Sequence, residues 1–192
     1  SYRILRERDL LGHSDRYVRA LRTLLQAGEN AGPEPIKQAI ARLQDLPPTG
    51  PSPAMGRLLL GYAQHRLLNA DGASGYDKAR FEKAHHQYML ALDLAHDSMR
   101  IRAAVLQNLG YLHRQVGNHA TAAAFYRRRA ALPFAEPVTE AAVRWQLARA
   151  LFYVDRPAAA HAQAETALAV SEAETDLPLA PFREKAAFYA VN

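Results

Sequence analysis

The chain has no cysteine among its 192 residues, which excludes a disulfide framework, a thiolate metal site and a cysteine nucleophile. No stretch of it approaches the roughly 20 apolar residues that a bilayer-spanning helix requires. Alternating Val/Ile/Thr runs bounded by hairpin dipeptides are also missing, so no segment reads as a strand. Nor is there a G-x-S-x-G elbow, a phosphate loop or a dinucleotide glycine cluster. His85 and His86 are adjacent, and His113 and His119 straddle a turn, so no i, i+4 His pair with an intervening Glu stands ready for zinc. The expectation is a chain without enzymatic activity, cofactor or metal.

What is present points to a folded helical domain. Apolar residues make up 49% and charged residues 22%, with Ala and Leu recurring throughout, a composition that can bury a core. Helix-period patterning fills nearly all of it, interrupted by Gly-, Pro- and Asn-rich breaks. The pattern predicts helices over 2–11, 14–27, 34–45, 53–68, 76–96, 98–116, 119–131, 137–154, 157–174 and 180–190. Links between them are short, as between antiparallel neighbours. The proline-rich stretch 47–53 reads as a stiff joint between N-terminal helices (1–46) and the remainder (54–192). The opening Ser1-Tyr2-Arg3 has no apolar signal region behind it, and the expectation is a module that begins and ends inside a longer protein, in a compartment the sequence leaves open.

Charge is unevenly spread. Only Lys37, Lys78, Lys83 and Lys185 are lysines, so the net charge of +5 rests on arginine. Between Ser98 and Ala135 there are six arginines and no acidic residue, whereas Asp155 to Asn192 carries six acids against three bases. Such a field attracts nucleic acid, an acidic peptide or the acidic end of a second copy.

The most specific signal is internal repetition. Leu60-Gly61, Leu109-Gly110 and Leu147-Ala148 each pair a large apolar residue with a small one, the last two 38 residues apart. A breaker follows the small residue seven on, at Gly117 and Asp155, and another small residue twelve on, at Ala122 and Ala160. In the following helix Ala84, Tyr88 and Ala91-Leu92 match Ala160, Ala164 and Ala167-Leu168, with Ala122 and Tyr126 matching in part. Small residues at fixed intervals let paired helices approach closely.

These residues resemble the tetratricopeptide repeat (TPR), over about 54–174, with 176–192 similar to the first helix of a further, truncated repeat. Ile36, Ala39, Ile40 and Leu43 give 1–46 the look of a degenerate earlier pair. Departures are visible: Arg129 stands where the family prefers a small residue, which suggests a register slip of one, and Leu106 and Arg144 replace its frequent Trp. An insertion of about 11 residues near Asn69–Gly75 interrupts the first repeat, and the long spacings are similar to extended arrays in bacterial sensors and secretion scaffolds. The resemblance implies an all-α, right-handed superhelical solenoid of antiparallel helix pairs, acting as a protein or peptide interaction scaffold.

In such a fold the first helix of each pair lines a concave groove. Fixed offsets from each small residue place Leu58, Tyr62, His65 and Arg66, then Gln107, Tyr111, Arg114 and Gln115, then Trp145, Arg149, Phe152 and Tyr153 on inner faces. Tyr, Trp and Arg dominate binding energy at interfaces, and Arg114 and Arg149 can each pair bidentately with a carboxylate, worth ~1.5–3 kcal/mol where partly desolvated. The dicarboxylate clamp of chaperone-binding relatives needs Lys and Asn at inner positions; Leu58, Tyr62, Gln107 and Tyr111 stand there, against a chaperone adaptor of that type. The competing expectations are polyanion binding through 98–135 and self-association of the basic middle with the acidic C-terminal third. Of Arg127, Arg128 and Arg129, at most two can act together on one backbone, because consecutive residues fan around a helix.

Overall fold

The computed structural model describes residues 19–20, 22–24, 32–44, 53–70 and 77–173, with the side chains of 69 and 70 left out. Among these every regular element is an α-helix: α1 (Pro33–Gln44), α2 (Pro53–Ala70), α3 (Lys78–Leu94), α4 (Met99–Gln115), α5 (His119–Ala130), α6 (Pro137–Phe152) and α7 (Pro157–Glu172). The expected all-α class holds, and the helix ends move by no more than two residues from the sequence reading. The expected helices 2–11 and 180–190, most of 14–27, and most of the proline-rich joint lie outside the described residues. The helices fall into two compact units, one ending at Asn108 and the other beginning at Leu109, so α4 contributes to both. In the first, α1 packs on α2 and α2 on α3; in the second, α5 packs on α6 and α6 on α7.

The repeat shows first in the way helices end. Gly117 and Asp155, each seven residues beyond the small residue of their helix, both take a left-handed backbone, with φ of 76° and 57°. That turn lets Asn118 N–H donate to His113 O at 2.9 Å and Arg156 N–H to Leu151 O at 3.1 Å, the same bond at the same repeat position. Glycine suits the first site without steric cost, and the short polar Asp is among the few L-residues that tolerate the second. Asn118 then caps α5, its side chain accepting from Thr121 N at 3.4 Å. Asp77 caps α3 in the same manner, accepting from Arg80 N at 3.0 Å, and Arg80 ties that corner back to α2 through Leu67 O at 3.1 Å.

The helix pairs are held by contact between a small residue and what faces it. A Cβ added at Gly61 would lie 2.6 Å from Tyr88 Cδ1, and one at Gly110 would lie 2.6 Å from Tyr126 Cε1, so each tyrosine ring rests directly on a glycine backbone. In the last pair both partners change: Ala148 replaces glycine and Ala164 replaces tyrosine, and both are buried. The ring is gone, and Trp145 joins Ala148, Ala164 and Ala167 in one cluster, with Phe152 and Leu168 packed against it. Volume lost at one position is recovered at another, which a close-packed interior requires.

Four residues before the small position, the Trp site of related repeats has its own substitute. Arg57 Nη1 donates to Gln87 Oε1 at 3.0 Å, and Arg144 Nη1 donates to Gln163 Oε1 at 3.1 Å, linking the same two positions of the first and last pairs. The middle pair is apolar at both, with Leu106 and Phe125 buried.

Arg129 corrects the sequence reading. There is no register slip: Arg129 itself is buried, 4% exposed, at the position expected to be small. Its stem lies in the pair while the guanidinium turns out beneath the α5–α6 loop, donating to Leu132 O at 3.4 Å and lying 4.1 Å from the Phe134 ring. Burial lowers its pKa below the usual arginine value, opposed by Glu140.

The tyrosine–glycine contact gives a direct prediction. Gly110→Ala drives a methyl group into a rigid ring, and overpacking of this kind costs about 1–3 kcal/mol even though alanine favours the helix. A lowered melting temperature is expected; an unchanged or raised one contradicts the contact.

Candidate functional site

The four inner offsets do not behave alike. At about 100° per residue, the offsets −3 and +4 lie about 40–60° around the helix from the small residue, and +1 and +5 lie about 100–140° from it. The first row therefore turns toward the partner helix and the second away from it. In the structure Leu58, His65 and Trp145 of the first row are buried, the latter two only 3% and 8% exposed, while Gln107, Arg114 and Phe152 are half-buried. In the second row Tyr62, Arg66, Tyr111, Gln115 and Arg149 are half-buried and Tyr153 is 56% exposed. None of the six is closed off from solvent. The sequence reading joined both rows into one face; the angle to the glycine separates them. His65 and Trp145 accordingly serve the helix pairs, because they point where the pairs close.

In the first unit the buried row forms a polar chain. Tyr88, sealed from solvent on Gly61, donates its hydroxyl hydrogen to Asn108 Oδ1 at 3.2 Å, and Asn108 Nδ2 donates to Ala104 O at 2.8 Å. His65 Nδ1 lies 3.3 Å from the same hydroxyl, its ring edge-on at 6.1 Å between centroids. The phenol's only hydrogen is already given to Asn108, so the imidazole is the donor from Nδ1. Burial pushes the Tyr88 pKa well above its ordinary value, with Tyr62 adding to the rise. On the outer row, Arg66 donates to Leu24 O.

The second unit gathers a denser set. Arg114 lies over the Tyr111 ring at 4.8 Å, and Arg149 over the Tyr153 ring at 6.0 Å. His119, the first residue of α5, stacks on Tyr153 with centroids 4.3 Å apart, and Phe152 meets Tyr153 edge-on at 6.1 Å. Beneath them Tyr126 is 1% exposed on Gly110. Burial raises its pKa beyond the usual range, opposed by Arg114, which approaches the phenol oxygen, and by Arg149, so both guanidinium groups are within electrostatic reach of it. Neither arginine has an acidic partner among the described residues. Tyr111, Arg114, Arg149 and Tyr153 are inner positions of the sequence reading; His119 and Tyr126, on the second helix of the pair, are not among them. The Tyr126 match to Tyr88 was the available signal for one; His119 had none beyond its place after a turn.

Other histidines and arginines among the described residues are placed for packing or solvent. His113 is buried and stacks on Phe125 at 5.4 Å, His85 stacks on Phe81 at 5.9 Å, and Arg127 and Arg128 are exposed on α5. No group of three or more His, Cys, Asp or Glu among the described residues has metal-binding geometry, and no described helix is long and apolar enough to cross a membrane.

This fold matches a solved structure. The thermophilic TPR protein TTC0263 of Thermus thermophilus superposes with a TM-score of 0.59 and 20% sequence identity, over 97% of this chain and 87% of that one. The chain thus has a TPR-like fold. No family model matches the sequence, and no curated protein does.

The surroundings of His119 set a pH dependence. Burial first, then Arg114 and Arg149, hold its pKa below the ordinary 6.5. The unfolded chain therefore takes up this proton before the folded one does, and stability falls as pH drops through the ordinary imidazole range. Between about pH 7.5 and about pH 5.5, wild type is expected to lose more of its denaturant midpoint than His119→Gln does. Equal losses contradict the placement of His119 beside the two arginines.

Proposed function

We propose that the chain is a protein-interaction scaffold in which each unit by itself offers the outer row of its first helices to a partner: Tyr62 and Arg66 in the first unit, and Tyr111, Gln115, Arg149 and Tyr153 in the second. A TPR-like fold supports such a role in general terms, since stacked helix pairs present one face of each first helix for binding. The observation that supports this particular surface is its composition. Five of its six residues are Tyr or Arg and all stay at least partly open, whereas a merely solvated row draws on Lys and Glu. Tyrosine offers a large contact area with little rotamer entropy to lose, and the arginines already stacked over Tyr111 and Tyr153 are partly ordered before a ligand arrives.

Polyanion binding is the weaker reading. Arg129 is committed to the α5–α6 loop, which leaves Arg127 and Arg128 from the basic run. A contact of that kind falls steeply with salt.

Site-specific photo-crosslinking tests the surface. With p-benzoylphenylalanine in place of Tyr62 or Tyr153, partner adducts are expected from the protein's own cell lysate, and few from Ala124 or Glu165, which are exposed on second helices. Adducts of equal yield from both sets contradict the assignment.

A further inference from the structure

The two glycine-backed tyrosines occupy one repeat position but differ in what surrounds their hydroxyl groups. In the first unit His65, Tyr88 and Asn108 close a hydrogen-bonded chain. In the second, the corresponding positions hold Arg114, Tyr126 and Gln146, and the chain stays open. The Tyr126 hydroxyl, Arg114 Nε and Gln146 Oε1 are all buried without a well-formed hydrogen bond among the described residues, although Arg114 comes close enough to the phenol oxygen to act on it as a donor. A buried polar atom without a partner forfeits its hydration, and these three, at the positions that correspond to the closed chain of the first unit, mark a place where a polar group is wanted.

We propose that Arg114, Arg149 and the Tyr126 hydroxyl form a carboxylate-binding site, with His119 at its rim, that takes an Asp or Glu side chain of the partner segment. This rests on the scaffold reading for the source of the carboxylate, and on the second unit alone for its chemistry. Arg114 of α4 and Arg149 of α6 both lie within electrostatic reach of the Tyr126 hydroxyl, and neither has an acidic partner among the described residues. Arg114 lies over the Tyr111 ring, a contact that leaves its charge unneutralised and so available to an oxyanion. Arg114 is fixed by no ion pair among the described residues, so an entering carboxylate can bind alongside it and reach the phenol, whose hydrogen has no acceptor among those residues. No acidic residue lies between Ser98 and Ala135, so the local field also favours an anion. Two of the four groups, His119 and Tyr126, belong to the second helix of the pair, which sets this site apart from one lined by first helices only.

The test uses the full chain and fluorescein-labelled hexaglutamate, with hexaglutamine and oligothymidylate as comparisons, read by fluorescence anisotropy. Hexaglutamate is expected to bind and hexaglutamine not. Arg149→Gln should weaken binding about tenfold or more, as loss of a charged hydrogen bond does. Tyr126→Phe should weaken it several-fold while the melting temperature stays level or rises, because the variant removes a buried hydroxyl that had no partner. Unaltered hexaglutamate affinity in Tyr126→Phe overturns the site, and so does a drop in its melting temperature, which means the hydroxyl already has a partner in the fold. Preferential binding of oligothymidylate through the same arginines replaces the peptide carboxylate with a phosphate backbone and overturns it too. If hexaglutamate fails while crosslinks from Tyr62 and Tyr153 persist, the carboxylate site alone falls. If hexaglutamate binds and those crosslinks are absent, the scaffold reading falls and the site stands.

Discussion

A tyrosine ring lying on a glycine backbone is the contact on which the rest of this structure depends. It fixes how closely two helices approach, and through that distance it decides which side chains of the first helix are folded in and which are left out. Gly61 with Tyr88 and Gly110 with Tyr126 solve the problem with a large residue against none. Ala148 with Ala164 solves it with two small ones and imports Trp145 to fill the space. These are different side chains in the same geometry, as expected where packing density rather than residue identity is under constraint.

The tyrosines also carry a polar atom into an apolar interior, and this creates an obligation. The first unit meets it with His65 and Asn108, and the result is a closed, rigid pair. In the second, an arginine stands at the position of His65 and a glutamine at that of Asn108, and the obligation is unmet within the described residues. The same repeat position is thus closed by hydrogen bonds in one unit and left open, among the described residues, in the other. The surrounding aromatic rings stack on both arginines and on His119, holding cationic and polar groups near a surface without neutralising them.

Much of the fold was legible in the sequence because its signals are local. Breakers and capping residues mark helix ends, and Gly117 and Asp155 announce left-handed turns through residue types that tolerate them. The small-residue intervals revealed the pairing. The split between buried and open inner positions was less legible, because His65 and Trp145 look like binding residues by type and only their angle to the glycine shows otherwise. Arg129 misled for a related reason: a charged residue at a small position suggests a shifted register, while its flexible stem lets the guanidinium reach the α5–α6 loop and stay covered there. Tyr126 and His119 were not read as neighbours of these arginines because they lie on the second helix, whose residues the inner offsets from the small residue did not cover. Arg57 with Gln87, and Arg144 with Gln163, could be paired only once the helices were set side by side.

The central claim concerns two ring-to-backbone contacts, and proton NMR of the folded chain reads them directly. The account predicts strong nuclear Overhauser effects from the Tyr88 ring to the Gly61 Hα atoms and from the Tyr126 ring to those of Gly110, with both pairs of glycine protons moved upfield by the aromatic ring current. Glycine protons at ordinary shifts, with no Overhauser effect to either tyrosine, would contradict it.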